Sequence, residues 1–184
     1  MRHQTHAIDP ERRKWQNPEA ILAEIGLKAG LTFVDIGCGG GFFTLPAARI
    51  VGKSGRVYGI DVSAESINEL RELAHREGLG NLELTVGKAE DVILCEQCAD
   101  IAFLGIVLHD FEDPLQVLEN ARKMLSPKGR LINLDWKKLP TPVGPPVSIR
   151  FSEEKAIKLI EAAGFKGLTV RDNGLYHYII DAIP

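Results

Sequence analysis

The chain has 184 residues, 45% of them hydrophobic and 26% charged, a composition that is typical of one globular domain and excludes a disordered tail, a collagen-like fibre and a coiled coil. The net charge of −3 disfavours nucleic acid as a partner, because proteins that neutralise many phosphates are usually basic. The sequence has three cysteines, too few for a disulfide scaffold. It has no apolar run long enough to cross a bilayer and no apolar core near the N-terminus. These features predict a protein of the reducing cytoplasm without membrane segments.

The first 16 residues are predicted to form a polar segment, and residues 17–184 are predicted to form a single domain. Asn17 and Pro18 are typical of a helix start, because Asn caps free amides and Pro suits the first helical position. From residue 32 onwards, short apolar runs that indicate strands alternate with amphipathic segments that indicate helices. The predicted strands are 32–36, 56–60, 81–86, 100–104 and 130–135. The predicted helices between and after them are 41–51, 63–77, 113–125 and 152–164.

The C-terminal part is predicted to form an antiparallel hairpin of strands 165–170 and 175–181, because D-N-G at 172–174 is a turn signal. A loop rich in proline and glycine is expected over 137–150. The alternation of strands and helices favours a parallel sheet with helices on both faces, and right-handed crossovers make it doubly wound. The predicted fold class is therefore α/β, with a doubly wound mixed sheet that is Rossmann-like.

A glycine-rich turn after the first predicted strand carries the strongest functional signal. The segment Asp35–Gly41 reads D-I-G-C-G-G-G and lies at the carboxyl end of a strand, where such sheets bind ligands. A plain turn from strand to helix needs only one glycine, so several glycines favour close approach of a ligand to the backbone. The spacing differs from the G-x-G-x-x-G of dinucleotide sites, and the acid Asp35 favours a cationic ligand over a pyrophosphate.

Asp61 ends the second predicted strand, 20 residues after Gly41. This is the spacing at which an acid reaches the two hydroxyls of a ribose. The alternative is that Asp61 only caps the next helix, but Ser63 is better placed for that.

With these motifs the chain resembles the class I S-adenosylmethionine-dependent methyltransferases, from about residue 18 to the final hairpin, and in particular the ubiquinone/menaquinone and arsenite methyltransferase group. Three further segments carry the resemblance: 87–91 after the third strand, 99–111 around the fourth strand, and 125–131 before the fifth. The resemblance implies a seven-stranded sheet of order 3-2-1-4-5-7-6 with strand 7 antiparallel. It also implies transfer of a methyl group from S-adenosylmethionine, which leaves S-adenosylhomocysteine, and we expect a small molecule as the acceptor.

The resemblance assigns a part of the cofactor to each motif. The glycine turn is expected to wrap the methionine part, Asp61 the ribose, and the segment after the third strand the adenine. Lys88 stands where the family often has Asp, so the choice between Glu90 and Asp91 as the adenine contact stays open. The implied cofactor-binding residues are Asp35, Gly37, Cys38, Gly39, Gly41, Asp61, Val62, Ala89, Glu90, Asp91, Leu104 and Gly105.

His109 and Asp110 follow the fourth strand on the ligand side of the predicted sheet and are the candidate catalytic residues. A histidine there could take a proton from the methyl acceptor. The alternative is that His109 is structural and that catalysis needs only alignment of the acceptor with an already activated methyl group.

Several other charged and polar segments are interpreted as structural or left open. Lys137, Lys138 and Arg150 either attract an anionic substrate or form a solvated charge run. The run 11–14 is interpreted as solvated, and 176–178 as sheet packing.

Cys95 and Cys98 have a spacing compatible with a metal, but two thiols fall short of a closed zinc site. Both are therefore predicted to be ordinary, partly buried residues, and no metal is expected.

Two other functions remain open at this stage. The chain could be a regulatory module that binds S-adenosylmethionine without catalysis. It could also be a nicotinamide-dependent oxidoreductase, which the glycine spacing disfavours. The sequence leaves a homodimer open.

Overall fold

The computed structural model describes residues 9–184, and its contacts divide the chain into two compact units whose border lies between Leu94 and Cys95. The extent of the single domain predicted for residues 17–184 stays a prediction. No helix in the described range 9–184 is long and apolar enough to cross a membrane.

In the first unit, helices alternate with parallel strands. The Asn17 side chain accepts a hydrogen bond from the Ala20 amide, and the Ser63 hydroxyl accepts one from the Ser66 amide, so both predicted caps are confirmed. The helices are α1 (Pro10–Arg13), α2 (Pro18–Glu24), α3 (Thr44–Val51) and α4 (Ala64–Arg76). The strands, paired in parallel, are β1 (Thr32–Ile36), β2 (Arg56–Asp61) and β3 (Leu82–Val86).

The start of α3 differs from the prediction, which placed it at Gly41. Gly39 and Gly41 have φ angles of 51° and 90°, outside the right-handed helical region, so the helix begins only at Thr44. Of the polar segment predicted for residues 1–16, residues 1–8 lie outside the described range. In the remainder, the Asp9 carboxylate caps α1 by accepting from the amides of Glu11 and Arg12.

The second unit also begins with a strand and helix pattern and ends in an antiparallel hairpin. Asp113 and Ser152 cap its helices through the amides of Gln116 and Lys155. The helices are α5 (Pro114–Met124) and α6 (Glu153–Ala162), with a 3₁₀ turn at Leu108–Asp110. The strands are β4 (Ala99–Gly105), β5 (Leu125–Trp136), β6 (Lys166–Asn173) and β7 (His177–Ile183).

Two turns in the second unit differ from their predictions. Strand β5 starts directly at Leu125, although Pro127 and Gly129 indicated a loop there. Leu125 pairs with Ala99 and Arg130 with Ile101, so residues 126–129 form a bulge within the strand rather than a separate turn. The hairpin turn lies at 174–176 instead of 172–174, because pairing continues to the end of β6.

The strands of residues 9–184 are hydrogen-bonded in the order β3-β2-β1-β4-β5-β7-β6, which confirms the predicted seven-stranded sheet. Strand β7 is antiparallel to both β5 and β6, as predicted. In the first unit, Ile67 and Leu70 of α4 are fully buried against Cys38 and Leu45. In the second unit, Phe103 is fully buried, and full burial of a large apolar side chain contributes about 1.5–3 kcal/mol.

Candidate functional site: a glycine turn and a buried histidine–aspartate pair

The glycine turn between β1 and α3 is held against the end of β2. The amides of Gly37 and Cys38 both donate to the Ile60 carbonyl, at 2.9 and 3.0 Å. Gly37, Gly39 and Gly41 all have positive φ angles, of 74°, 51° and 90°, which side chains disfavour. The turn is therefore a tight, backbone-built structure that requires its glycines.

Two of these glycines serve different purposes. A Cβ added at Gly39 would meet no atom within 4 Å, so the backbone there is open to a ligand. A Cβ added at Gly41 would overlap the side chain of Leu70, so this glycine makes room for the packing of α4. Cys38 is buried, and burial raises the pKa of its thiol well above the usual range, so the cysteine offers a ligand its backbone rather than a thiolate.

Asp35 is a buried acid on β1, with only 2% of its surface exposed. The Thr44 hydroxyl, at the first position of α3, donates to its carboxylate at 2.6 Å. Burial raises the pKa of Asp35 to about 7, against the opposing effects of Thr44 and the Arg12 charge. The predicted acid at the glycine turn is thus poised to gain from a nearby cation.

Arg12 of α1 is also part of this region. The prediction that residues 11–14 are solvated is confirmed for Glu11, Arg13 and Lys14, which are exposed, and is wrong for Arg12. Its guanidinium lies over the Phe42 ring, 4.0 Å from the centroid, and its Nε donates to Gln16 Oε1 at 2.7 Å. Burial lowers the pKa of Arg12 to about 10, although Asp35 and Asp9 act in the opposite direction.

Asp61 at the end of β2 joins the glycine turn to the start of α4. Its two carboxylate oxygens accept from the Gly39 amide at 2.8 Å and from the Ser63 amide at 2.9 Å. Each carboxylate oxygen has a second lone pair, so these bonds leave capacity to accept from hydroxyl groups. Ser63 caps α4 as predicted, so Asp61 is not needed for that cap.

The predicted adenine segment follows β3 and returns to the end of β2, because the Gly87 amide donates to the Asp61 carbonyl at 3.0 Å. Ala89 is buried, Asp91 is exposed and Val62 is 67% exposed. The choice between Glu90 and Asp91 stays open.

In the second unit, His109 lies in the 3₁₀ turn after β4. Its Nδ1 is 3.0 and 3.1 Å from the two carboxylate oxygens of Asp135, and the two side chains are 2% and 0% exposed. Burial lowers the pKa of His109, but the hydrogen bond and charge of Asp135 outweigh burial, and Asp110 adds to them, so the pKa is raised. A proton on Nδ1 directed at Asp135 leaves Nε2 as the nitrogen that can accept a proton.

The predicted residues before this turn are at the end of β4. Leu104 is buried, and Gly105 pairs with Leu134 of β5. Ile106 then has a φ of 66°, which is rare for a β-branched residue, and its amide donates to the Leu134 carbonyl at 2.7 Å. This conformation turns the chain from β4 into the segment that carries His109.

Comparison with known proteins identifies the fold's family. A family model described as Methyltransferase domain matches residues 27–164. The chain belongs to this methyltransferase domain family. A solved structure of a SAM-dependent methyltransferase from Aquifex aeolicus is 33% identical, covers 95% of this chain and 93% of that chain, and has a TM-score of 0.89.

Curated relatives of the methyltransferase domain are longer proteins. The ubiquinone/menaquinone biosynthesis C-methyltransferase of Hahella chejuensis is 29% identical over 160 residues, which are 86% of this chain and 61% of the relative. The demethylmenaquinone methyltransferase of Bacillus subtilis is 26% identical over 125 residues, 68% of this chain and 53% of the relative. The chain thus spans about half the length of the curated relatives it matches.

The family and its cofactor, S-adenosylmethionine, are therefore confirmed as predicted from the motifs. The residues of the first unit fit that cofactor. The backbone at Gly39 is open where a side chain would stand, Asp61 keeps lone pairs for hydroxyl groups, and the buried acid Asp35 suits a cation. The individual contacts of the methyltransferase domain with the cofactor stay predictions.

Two of the three basic residues after β5 are bonded to groups of the protein, whereas Lys138 is exposed and its role stays a prediction. Arg150 is 2% exposed, and its guanidinium donates to carbonyls of its own loop, including Pro145 at 2.6 Å and Leu139 at 2.9 Å. Lys137 pairs with Asp172 at 2.8 Å. Arg150 therefore holds the loop 137–150 together, and both the solvated and the substrate-attracting interpretations are wrong for it.

Cys95 and Cys98 are partly buried as predicted, but they form a disulfide rather than two separate thiols. Their spacing brought the sulfurs together, and the sequence alone did not distinguish this from two unpaired residues. Across residues 9–184, no group of three or more His, Cys, Asp or Glu side chains is arranged to hold a metal ion.

Sequence reasoning missed three residues of these sites. Thr44 and Arg12 flank the predicted acid Asp35, and Asp135 orients His109. Asp135 stands at the carboxyl end of β5, a position that could have indicated it. Arg12 lies among other charges and carried no comparable signal.

Proposed function

We propose that this methyltransferase domain transfers a methyl group from S-adenosylmethionine to a small-molecule acceptor. The observation that carries the proposal is the glycine turn, whose open Gly39 is bonded through its amide to the Asp61 carboxylate. Bound S-adenosylmethionine supplies an electrophilic methyl group on a sulfonium, and its loss leaves S-adenosylhomocysteine. The protein's contribution is to bind and align.

In this proposal the first unit provides most of the cofactor contacts. Asp61 accepts from the ribose hydroxyls, Asp35 faces the positive end of the methionine part, and the Gly37 and Gly39 backbone lies against it. The remaining proposed contacts are Cys38, Gly41, Val62, Ala89, Glu90, Asp91, Leu104 and Gly105.

The proposal is tested by titration calorimetry with S-adenosylhomocysteine, followed by an assay of its formation from S-adenosylmethionine. A panel of acceptors with hydroxyl, amine, thiol and quinol groups covers the main classes. Quinols come first because one relative is named a demethylmenaquinone methyltransferase and another a ubiquinone/menaquinone biosynthesis C-methyltransferase. Binding with turnover supports the proposal. Binding of NAD in place of S-adenosylhomocysteine would favour the oxidoreductase.

We propose further that His109 is the proton acceptor, with Asp135 as its positioning residue and Asp110, 3.6 Å from Nε2, as a second candidate. His109→Gln should then lower turnover by about 10²-fold with little change in cofactor affinity. Because the pKa of His109 is raised, wild-type turnover should rise with pH through a value above about 6.5. The same turnover and pH profile in both proteins would remove His109 from the reaction.

A second candidate function is a binding module without catalysis. The 2% exposure of the His109 side chain favours it, because a substrate must reach Nε2 for proton transfer. Tight binding of S-adenosylhomocysteine without turnover on any acceptor of the panel would select it.

We also propose a cytoplasmic protein that does not bind nucleic acid, and the homodimer that the sequence left open is a question for experiment. Disulfides are rare in reducing compartments, so the redox state of Cys95 and Cys98 in freshly lysed cells tests the location. Sedimentation analysis tests the dimer.

A further inference from the structure

Two neighbouring hydrogen-bond donors in the first unit are buried without an acceptor. Within the described residues 9–184, Arg12 Nη2 and Gln16 Nε2 have no hydrogen-bond partner. Gln16 is 3% exposed, and the orientation of its amide is fixed because Oε1 accepts from Arg12 Nε at 2.7 Å. Buried donors are nearly always paired, so two orphaned donors on linked side chains indicate an acceptor that is not among the residues 9–184.

The arginine is held rigidly beside the glycine turn. Its guanidinium lies 4.0 Å from the ring centroid of Phe42 and 5.3 Å from that of Phe43. Phe42 directly follows Gly41, the last glycine of the turn. Because Nε is already bonded to Gln16, the two unpaired donors are Arg12 Nη2 and Gln16 Nε2, and one carboxylate can accept from both.

An opposite charge acts on Arg12 from the same region. Asp35 attracts it electrostatically, yet the ion pairs found in the described part of the chain do not include one between these two residues. Because Arg12 and Asp35 do not pair with each other, each can bind one charged group of an α-amino acid. The carboxylate of the amino acid would bind Arg12, and its ammonium group would lie toward Asp35.

We propose that Arg12, together with Gln16, binds the α-carboxylate of the methionine part of S-adenosylmethionine. The inference rests on the proposed function, since it needs the cofactor at the glycine turn. Arg12 lies outside residues 27–164, which the family model matches. The polar N-terminal segment thus contributes a binding residue of its own.

The test compares two ligands that differ at the amino-acid end, by calorimetry on the full chain. S-adenosylhomocysteine carries the α-carboxylate, and 5′-methylthioadenosine lacks the whole amino-acid group. Arg12→Met keeps an apolar stem over Phe42 but has no donor. We expect it to weaken S-adenosylhomocysteine binding by about 10- to 100-fold and methylthioadenosine binding by less than about twofold.

Matched variants separate charge from geometry. Arg12→Lys should recover only part of the affinity, because an ammonium keeps the charge but cannot hold Gln16 through Nε while donating to the ligand through a second, coplanar nitrogen. Arg13→Met is the control, since Arg13 pairs with Glu19 at the surface, and it should bind both ligands like the wild type. If Arg12→Met does not fold, Gln16→Glu tests the same carboxylate, because an added negative charge should weaken S-adenosylhomocysteine selectively.

Each outcome decides the matter. Selective loss of S-adenosylhomocysteine supports the carboxylate role. An equal loss of both ligands, or no loss of either, overturns it while leaving the proposed function intact. If the unmodified chain binds neither ligand, the proposed function fails and this role fails with it.

Discussion

The glycine-turn region of the first unit and the His109 region of the second use their polar groups in opposite ways. Around the turn, Gly39 is open, Asp61 keeps lone pairs, and Arg12 has an orphaned donor. In the second unit, His109 and Arg150 are bonded to groups of the protein itself. The residues of the glycine-turn region therefore keep hydrogen-bonding capacity for a ligand, whereas His109 and Arg150 use theirs within the protein.

Both regions contain a buried group with a raised pKa, for opposite reasons. Burial is the main cause at Asp35, so its neutral form is favoured. At His109, Asp135 outweighs burial, so the charged form is favoured. Asp35 thus gains from a cation that arrives from outside, whereas His109 already has its counter-charge.

The largest expected effect is a loss of stability when the buried pair of His109 and Asp135 is broken. Asp135→Leu removes the partner of His109 and the acceptor of the Trp136 amide, and breaking a buried pair typically costs about 3–5 kcal/mol. The free energy of unfolding in urea measures the loss. Asp110→Leu is the control, because Asp110 is 58% exposed and should change stability by less than about 1 kcal/mol. Similar losses in both variants would contradict a stabilising role for the pair.

The second prediction separates the two roles of the glycine turn. Gly41→Ala should destabilise by about 2–4 kcal/mol, because it adds overlap with Leu70 to a strained positive φ. Gly39→Ala should cost only about 1–2 kcal/mol, since it meets no atom, yet it should abolish binding of S-adenosylhomocysteine. Urea unfolding and calorimetry measure the two effects. Normal binding by a folded Gly39→Ala variant would show that the cofactor does not lie on this turn.

The third prediction concerns Asp61. Asp61→Ala should weaken binding of S-adenosylhomocysteine at least tenfold, because hydrogen bonds to a charged group contribute about 1.5–3 kcal/mol each. It also removes the bonds to the Gly39 and Ser63 amides, so Asp61→Asn, which keeps one acceptor oxygen, is the matched control. Calorimetry on the folded variants gives the result. Unchanged affinity in Asp61→Ala would remove the ribose role.

Local patterns predicted most of the fold. The bounds of β1 and the caps at Asn17, Ser63 and Ser152 follow from residues next to each other in sequence. The errors arose where distant contacts decide the structure. Pro127 lies in a bulge because flanking residues pair with β4, which no local signal shows.

The residues of the candidate site were likewise predictable where the signal is local and not where it depends on distant contacts. Asp35 and Asp61 were found because they flank a recognisable motif, whereas Arg12 and Asp135 matter only through side chains that lie far from them in sequence. A charged residue in a charged run carries no local mark of burial. Such residues become visible only when the structure shows what surrounds them.

The smallest expected effect is a difference in pH dependence between the two buried groups. The folded pKa of Asp35 is about 7, above the unfolded value of about 3.9, so the unfolded state loses its proton first. Stability should therefore fall as pH rises from about 4 to about 7, and Asp35→Asn should remove this slope. The groups acting on Asp35 are Thr44, Arg12 and Asp61.

His109 should change the stability in the next higher pH range. Its folded pKa is raised above the unfolded value of about 6.5, so its contribution is complete below about pH 6.5 and is lost as pH rises through the folded pKa. His109→Gln should flatten the curve only in that upper range, while Asp35→Asn flattens only the lower one. Urea unfolding between pH 4 and 9 on the wild type and both variants measures the slopes. If either variant removed the pH dependence in the range assigned to the other, the two regions would not titrate separately. The contrast between Asp35, which lacks a bound cation, and His109, which is already paired with Asp135, would then be wrong.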